Sequence, residues 1–415
     1  MTRSKKSYGR SKLREQRETR NEKRETRDEQ RETRNEKTRK NMKIYFDNAA
    51  TTQIDSEVAD SITNVINNIY GNPSSIHSFG RESRVLIDEA RNKIAECLNV
   101  NPTEIYFTSC GTEAIATAIN GCILQKEIKH IITSPIEHHA VLHTIKSLEK
   151  KNLVEVSYVK LDDKGIIDLG DLKEILRTKV RSMVVLMHAN NEIGNLLPMK
   201  QVGDLCSDYN AFFLSDTVQT MGKYKNNLQD INIHFATCSA HKLHGPKGIG
   251  FLYINDDTSI EPLILGGGQE RNLRAGTENI YGIVGLAKAF EVAYRDMEKN
   301  QEFIQGLKSY MLAELKKNIP DIKFNGESEE GGLYTVLNAS YHLNSKTEML
   351  LYNLDIAGIA ASGGSACNSG VVSISHVLKE IGANNTRIPI RFSFSKYNTK
   401  KEVDFCVEQI LNLIN

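Results

Sequence analysis

The chain has 415 residues, 40% of them hydrophobic, with 8 prolines and no tryptophan, which is ample for one large core and a smaller lobe. No apolar run approaches the roughly 18 residues of a membrane span, no apolar core of a signal peptide follows the charged N-terminus, and the seven scattered cysteines include no CxxC pair, so a disulfide framework and a zinc site are both disfavoured and a reducing, cytoplasmic setting is expected. The net charge of +1 is a balance of +8 over residues 1–41, from 16 basic and 8 acidic side chains, and −7 over the rest, so the body carries no nucleic-acid footprint.

Residues 17–37 are three heptads, RETRNEK, RETRDEQ and RETRNEK. No position in the repeat is apolar, so a coiled-coil seam has nothing to bury. A solvated single helix held by Glu and Arg neighbours and a disordered tail are equally compatible with this pattern. The acidic residues argue against a mitochondrial presequence. The body starts at Met42 with a short strand over 44–46 and a turn of small residues, Asp47-Asn48-Ala49-Ala50-Thr51-Thr52. Helical spacing follows over 58–69, then the rigid loop Gly71-Asn72-Pro73-Ser74-Ser75, then an amphipathic helix over 85–98 with Leu86, Ala90, Ile94 and Leu98 on one face.

From Glu104 the pattern alternates. Strands are expected over 105–108, 130–133, 153–159, 183–187, 211–214 and 234–237, with helices near 113–124, 141–150, 169–176 and 200–208. Such alternation predicts an α/β fold with a mostly parallel sheet covered on both faces, and such sheets bind ligands beyond the carboxyl ends of their strands. Polar residues of chemical character stand there. Ser109-Cys110-Gly111-Thr112-Glu113 opens a helix whose first N–H groups could cradle a phosphate. Glu137-His138-His139 offers a histidine to a cofactor, or simply a polar helix start. His188-Ala189-Asn190-Asn191-Glu192 and Ser215-Asp216-Thr217-Val218-Gln219 follow two more strands. An Asp at the end of an apolar strand is costly unless paired, by a pyridinium nitrogen for example, or else it caps a helix.

The stretch 235–250, FATCSAHKLHGPKGIG, places Lys242 just past a buried strand, in a loop where Gly245, Pro246, Gly248 and Gly250 forbid a helix. Desolvation there would lower the lysine's pKa, and a neutral amine can attack a carbonyl to form a Schiff base. Ser239 and His241 could bind a phosphate. On this stretch alone, a surface lysine in a turn is as good a reading. Past Tyr281, two long helices, to about 294 and over 303–317, lead into shorter elements. Within these, Ala361-Ser362-Gly363-Gly364-Ser365-Ala366-Cys367-Asn368-Ser369-Gly370 is a run of small residues holding a cysteine, either a plain linker or a mobile loop with a reactive thiol.

Taken together, YFDNAATT, GNPSSIHSFGR, SAHKLHGPKGIG, GGGQERNLRAGTEN (266–279), the Cys367 loop and Arg391-Phe392-Ser393 resemble the cysteine desulfurases of the class V aminotransferase family, from Met42 to about Val407. The resemblance implies a fold-type-I, pyridoxal 5'-phosphate (PLP) dependent transferase. Its large domain, 55–296, would hold a seven-stranded-type sheet. A smaller α+β domain would comprise 42–54 with 297–415, and 1–41 would be a dispensable tail. The implied reaction takes L-cysteine to L-alanine and leaves the sulfur as a persulfide on Cys367. Lys242 would be the Schiff-base lysine, Asp216 the partner of the ring nitrogen, Gln219 of the ring hydroxyl, and His138 the ring-stacking histidine that helps proton transfer. Gly111, Thr112, Ser239 and His241 would contact the phosphate, with Thr277 reaching it in the neighbouring subunit of a homodimer. Asn191 would lie near the substrate and the ring oxygen, and Arg391 would bind the substrate carboxylate, a task suited to a bidentate pair. No intrinsic metal site is implied, though Cys367 could act as a transient iron–sulfur ligand with a partner.

The length of the Cys367 loop matches the branch that serves iron–sulfur clusters and nitrogenase; Ala361 stands where a serine is usual. The sulfur acceptor, an iron–sulfur scaffold protein or another acceptor, is not written in these residues. The chain stops soon after its last expected helix, so a C-terminal docking tail of the kind some relatives use is expected to be lacking. Rival readings are a selenocysteine lyase or another class V enzyme, a catalytically inactive scaffold, and an RNA-associated protein acting through the tail. Cys367 and its loop favour the desulfurase. Intact Lys242, Asp216 and His138 argue against the scaffold, and the acidic residues of the tail weaken the RNA reading. The tail has only Met1, Tyr8 and Leu13 as sizeable apolar residues and is expected to add nothing to the core, with translation starting at Met42. A chain beginning at Met42 should therefore match the full chain in melting temperature and PLP content; peptides from 17–37 found in the host by mass spectrometry would exclude that start.

Overall fold

The computed structural model describes residues 43–179, 181–329, 331–363, 374–383 and 386–414. The heptads and Cys367 lie outside them. Its centre is a seven-stranded sheet in the order β2-β8-β7-β6-β5-β3-β4, made of β2 (Ile105–Thr108), β3 (His130–Thr133), β4 (Glu155–Tyr158), β5 (Ser182–Val185), β6 (Phe212–Ser215), β7 (Phe235–Ser239) and β8 (Gly250–Ile254). All neighbours are parallel except β8, which runs antiparallel to both β2 and β7. The six strands expected from the sequence are present within a residue or two. β8 was not expected: GFLYI is buried at every position, so it carries no alternation to mark it as a strand.

Helices pack on both faces. α1 (Ser56–Asn68) starts where the Asp55 carboxylate accepts from Glu57 N at 2.9 Å. α2 (Ser78–Leu98) begins seven residues before the apolar periodicity that predicted it, because the His77 ring caps it by accepting from Gly80 N. Its buried face, Ile87, Ala90, Ile94 and Leu98, joins the larger core with α7 (Ile280–Arg295). α3 (Gly111–Lys126), α4 (His139–Lys150), α5 (Leu169–Thr178) and α6 (Met199–Asp208) follow β2 to β5. No helix among the described residues is long and apolar enough to cross a membrane.

A second core gathers Ile44 and Phe46 with residues from 304 to 410. It is built from α8 (Met297–Asn318), β9 (Lys323–Phe324), β10 (Val336–His342), α9 (Leu350–Ile356), β11 (Ile359–Ala360), β12 (Ser362–Gly363), α10 (His376–Glu380), β13 (Arg387–Ser393) and α11 (Lys400–Ile414). β12, β13, β10 and β9 form an antiparallel sheet, while β1 (Ile44–Tyr45) pairs in parallel with β11. Phe46 meets Phe392 and Phe394 edge-on, with ring centroids 6.3 and 5.3 Å away. The start of the fold is thereby fixed to its last third. From there it runs back to the main sheet, where the His241 carbonyl accepts from Thr52 N at 2.9 Å.

The loop after β8 is braced rather than free. Glu270, Arg271 and Asn272 all take left-handed backbone angles, with φ of 44°, 54° and 66°. The strain is held by a buried pair: Arg91 donates to both Glu270 oxygens at 2.9 and 2.7 Å, Phe107 N donates to Oε2 at 2.8 Å, and the guanidinium lies 4.6 Å over the Phe107 ring. Glu270→Ala would strand a buried guanidinium and a backbone N–H, and should cost about 3–5 kcal/mol by urea denaturation. Glu270→Gln, which keeps an acceptor, should cost clearly less.

Candidate functional site

The carboxyl ends of β3, β5, β6 and β7 open onto one cleft, and Lys242, in the short turn after β7, is its centre. Its ammonium donates to the carbonyls of Ala49 at 2.6 Å and Ala50 at 2.7 Å, in the turn of small residues that follows β1. Burial, together with the nearby Arg391 guanidinium, pushes the Lys242 amine down to about 8, against the opposing pull of Asp216 and Asp47. A lysine at this value is partly neutral near physiological pH and so can act as a nucleophile.

Asp216 is 7% exposed. Its Oδ1 accepts from Val218 N at 3.0 Å and Thr237 Oγ1 at 3.4 Å, and no hydrogen bond to Oδ2 occurs among the described residues. Gln219, also buried, donates from Nε2 to the Ala49 carbonyl that Lys242 uses, at 3.0 Å. His138 faces the cleft and caps α4: its Nδ1 accepts from Ala140 N at 3.1 Å, which puts the hydrogen of the neutral ring on Nε2. The cap and the cleft-facing ring are thus one residue. Burial keeps its pKa low, with Asp216 opposing and Lys242 and His376 reinforcing.

Gly111 and Thr112 form the first turn of α3, whose cap residue, Cys110, supplies no side-chain acceptor. The N–H groups there remain available to an anion. A Cβ at Gly111 would sit 2.6 Å from Val218 Cγ2 and 3.8 Å from Ser239 Cβ, so only glycine lets the helix start approach these two strand ends. His241 hydrogen-bonds Thr51 Oγ1 at 3.2 Å and is held neutral, down to about 4, first by burial and then by Lys242.

Arg391, on β13, donates to the Asn191 carbonyl at 2.9 Å and to Asp47 Oδ1 at 2.7 Å; Asp47 Oδ1 also accepts from Ser362 Oγ at 2.8 Å. Among the described residues, the buried Arg391 Nε has no acceptor. Direct bonds and charge coupling thus join Asp216, Gln219, Lys242, Arg391 and Asn191 with the 47–52 turn. Thr277 differs: it is exposed on the 266–279 loop, and no hydrogen bond ties it to the others among the described residues. Asp47 and the Ala49 and Ala50 carbonyls were not expected as site groups. Their signal was present in YFDNAATT, a strand leading into small residues that let backbone oxygens approach the lysine.

The profile of the family described as aminotransferase class-V matches residues 44–405. The chain belongs to this family. A cysteine desulfurase IscS from Dictyoglomus turgidum is 41% identical over 376 residues, covering 90% of this chain and 94% of its own. Among solved structures, a NifS-like protein superposes with a TM-score of 0.83 at 36% identity, covering 90% of this chain and 99% of that one. A structure described as SspA in complex with cysteine gives 0.74 at 32% identity, covering 86% and 100%.

The family depends on PLP, and the cleft of this member has the matching donor set. It offers a desolvated amine for an aldehyde, a buried carboxylate with an open Oδ2 for a protonated ring nitrogen, and a free helix start beside a glycine that a Cβ would block, suited to a phosphate. The depressed Lys242 value has a measurable consequence. In the cofactor-free chain, labelling of Lys242 by acetic anhydride should rise with pH around a midpoint near 8, well below the exposed lysines, as read by peptide mass spectrometry.

Proposed function

We propose that the protein is a PLP-dependent cysteine desulfurase that converts L-cysteine to L-alanine and passes the sulfur to Cys367. The observation that carries this reading is the placement of the Lys242 amine among Asp216, Arg391 and Asp47 at the carboxyl ends of the sheet. The relatives named desulfurase, and the one solved with cysteine, support the choice of substrate.

PLP, when bound, supplies an electron sink for the bonds at the substrate's Cα and Cβ. Gly111, Thr112, Ser239 and His241 would hold its phosphate, Asp216 Oδ2 would keep the proton on its ring nitrogen, Gln219 would turn its amide to the ring hydroxyl, and His138 would cover the ring face. Arg391 would take the substrate carboxylate, with Asn191 and Asp47 fixing the guanidinium plane beforehand. The Lys242 amine, when neutral, would remove and return the proton at Cα. The Cys367 thiolate would accept the sulfur: the carbon–sulfur bond breaks, a sulfur–sulfur bond forms, and the electron pair left on carbon takes a proton to become the alanine methyl group.

We further propose a large domain over 55–296 and a small one over 42–54 and 297–415, a cytoplasmic setting, a homodimer in which Thr277 serves the neighbouring subunit's site, and an iron–sulfur scaffold or other protein as the final acceptor. The strong exposure of Ile76, Leu265 and Tyr70, at 91, 81 and 73%, supports a subunit interface. The test is alanine release from cysteine by the purified holoenzyme. Lys242→Ala should lose the visible absorbance of the lysine-linked cofactor and at least roughly 100-fold in rate. Cys367→Ser should keep that absorbance and its change on adding cysteine, but form no persulfide and release little alanine. Wild-type release from Cys367→Ser would overturn the sulfur relay.

A further inference from the structure

The start of α3 already holds an anion of its own. Glu113, in the first turn, folds back so that its Oε2 accepts from Ser109 N at 2.9 Å, just ahead of the helix. Its side chain is 11% exposed, and Arg274 lies on it: Nε donates to Oε1 at 2.9 Å and Nη2 to Oε2 at 3.3 Å. The 266–279 loop brings Arg274 there. Leu273, one residue earlier, packs against the core that includes Ala114 and Ile115 of α3, and Ala275 N donates to the Ile264 carbonyl at 3.2 Å. The N–H groups of Gly111, Thr112 and Glu113 make no hydrogen bond among the described residues; Ala114 N is the first in the helix to find a carbonyl, that of Cys110, at 3.1 Å. A carboxylate in this turn draws on the same N-terminal dipole that would receive a phosphate, and at close range it repels a second anion.

We propose that Arg274 is a positioning residue for the cofactor phosphate: by pairing with Glu113 it cancels the negative charge resident at the start of α3 and fixes the first turn, leaving the Gly111, Thr112 and Glu113 N–H groups to the incoming anion. This rests on the reading of that turn as the phosphate cradle. The pair is two-pronged, so it sets the plane of the carboxylate as well as its charge, and the Glu113 oxygen that bonds Ser109 N is held by Arg274 at the same time. Burial works against an ionised Glu113, but the bonds from Arg274 and Ser109 outweigh it and hold the carboxyl below its ordinary value. The anion is therefore present whenever the phosphate arrives. The other cradle residues offer little to offset it: Gly111, Thr112 and Ser239 carry no charge, and His241 is held neutral. Arg274 thus supplies the missing positive charge from a loop outside the cradle.

The test reads phosphate recognition and not turnover. The full chain, cleared of cofactor, is titrated with PLP and with pyridoxal, which has the same ring and aldehyde but no phosphate, and the ratio of the two affinities is followed through the visible absorbance of the lysine-linked product. Arg274→Gln leaves the Glu113 charge uncompensated and should lower the ratio roughly ten-fold, with pyridoxal affinity little changed. Glu113→Gln keeps an acceptor for Ser109 N but removes the charge, so it should raise the ratio above wild type, whereas a purely structural pair predicts a loss. The double variant should return toward wild type. A ratio unmoved or lowered in Glu113→Gln overturns the proposal, as does a parallel fall of PLP and pyridoxal in Arg274→Gln. A double variant as weak as Arg274→Gln overturns it too, since Arg274 would then act on the phosphate without Glu113. If either single variant does not fold, judged by circular dichroism, the sign of the other decides. Gly111→Ala separates this from the reading beneath it. A ratio kept in Gly111→Ala sinks the phosphate cradle and the proposal with it; a ratio lost there but unmoved in Glu113→Gln sinks the proposal alone.

Discussion

The site depends on bonds between Lys242 and the backbone oxygens of Ala49 and Ala50. The fold brings the first residues of the body, anchored in the second core through Ile44 and Phe46, back over the carboxyl ends of the main sheet. The same turn then serves several parts of the cleft. Its carbonyls receive the amine and the Gln219 amide, Asp47 holds Arg391, and Thr51 and Thr52 fix His241 and its backbone. Carbonyl dipoles, unlike a carboxylate, can hold an ammonium in place without raising its pKa far. The amine is therefore oriented yet remains easy to deprotonate, which is what a nucleophilic lysine requires.

Charge is sorted along the strand ends by the same economy. Glu137, fully buried, has its pKa raised well above the usual carboxylate range by burial, with Asp216 adding to the effect. Its Oε1 accepts from Met187 N at 2.8 Å, while Oε2 has no partner among the described residues. Two carboxyl groups near one another in a low-dielectric setting cannot both ionise cheaply. The deeper one, Glu137, is thereby favoured in its protonated form, while Asp216 accepts from Val218 N and Thr237 at the edge of the cleft. On the other wall, Arg391 is neutralised by Asp47, so a substrate carboxylate would meet a guanidinium that is already flat and fixed.

Much of this was legible in the sequence where a local rule decides. Strand and helix alternation placed six of the seven sheet strands, and the polar residues beyond them marked the cleft edge at Thr112, His138, Asp216 and Lys242. What escaped was set by long-range contact. β8 is apolar at every position, and besides β7 just before it, it pairs with β2, more than 140 residues away in the chain. The early start of α2 rests on a histidine acting as a cap. The roles of Asp47 and of the Ala49 and Ala50 carbonyls arise because β1 pairs with β11, more than 300 residues away. Backbone oxygens leave no residue-type signature at all; only the smallness of the side chains beside them hints at a close approach.

Long-range closure also bears on how the two halves of the site communicate. Arg391 joins β13 to Asn191, after β5, and to Asp47, after β1, while Ser362 on β12 reaches the same Asp47 oxygen. β12 and β13 are paired, and the run of residues containing Cys367 leaves directly from the end of β12. If Arg391 binds the substrate carboxylate as proposed, that carboxylate would compete with Asp47 for the guanidinium, and a loosened Asp47 would also loosen its bond to Ser362. Substrate bound in that way would be linked, through one shared oxygen, to the strand from which the cysteine-bearing segment departs. Such a link would need no separate regulatory element, because two donors already rely on a single acceptor that a ligand could displace.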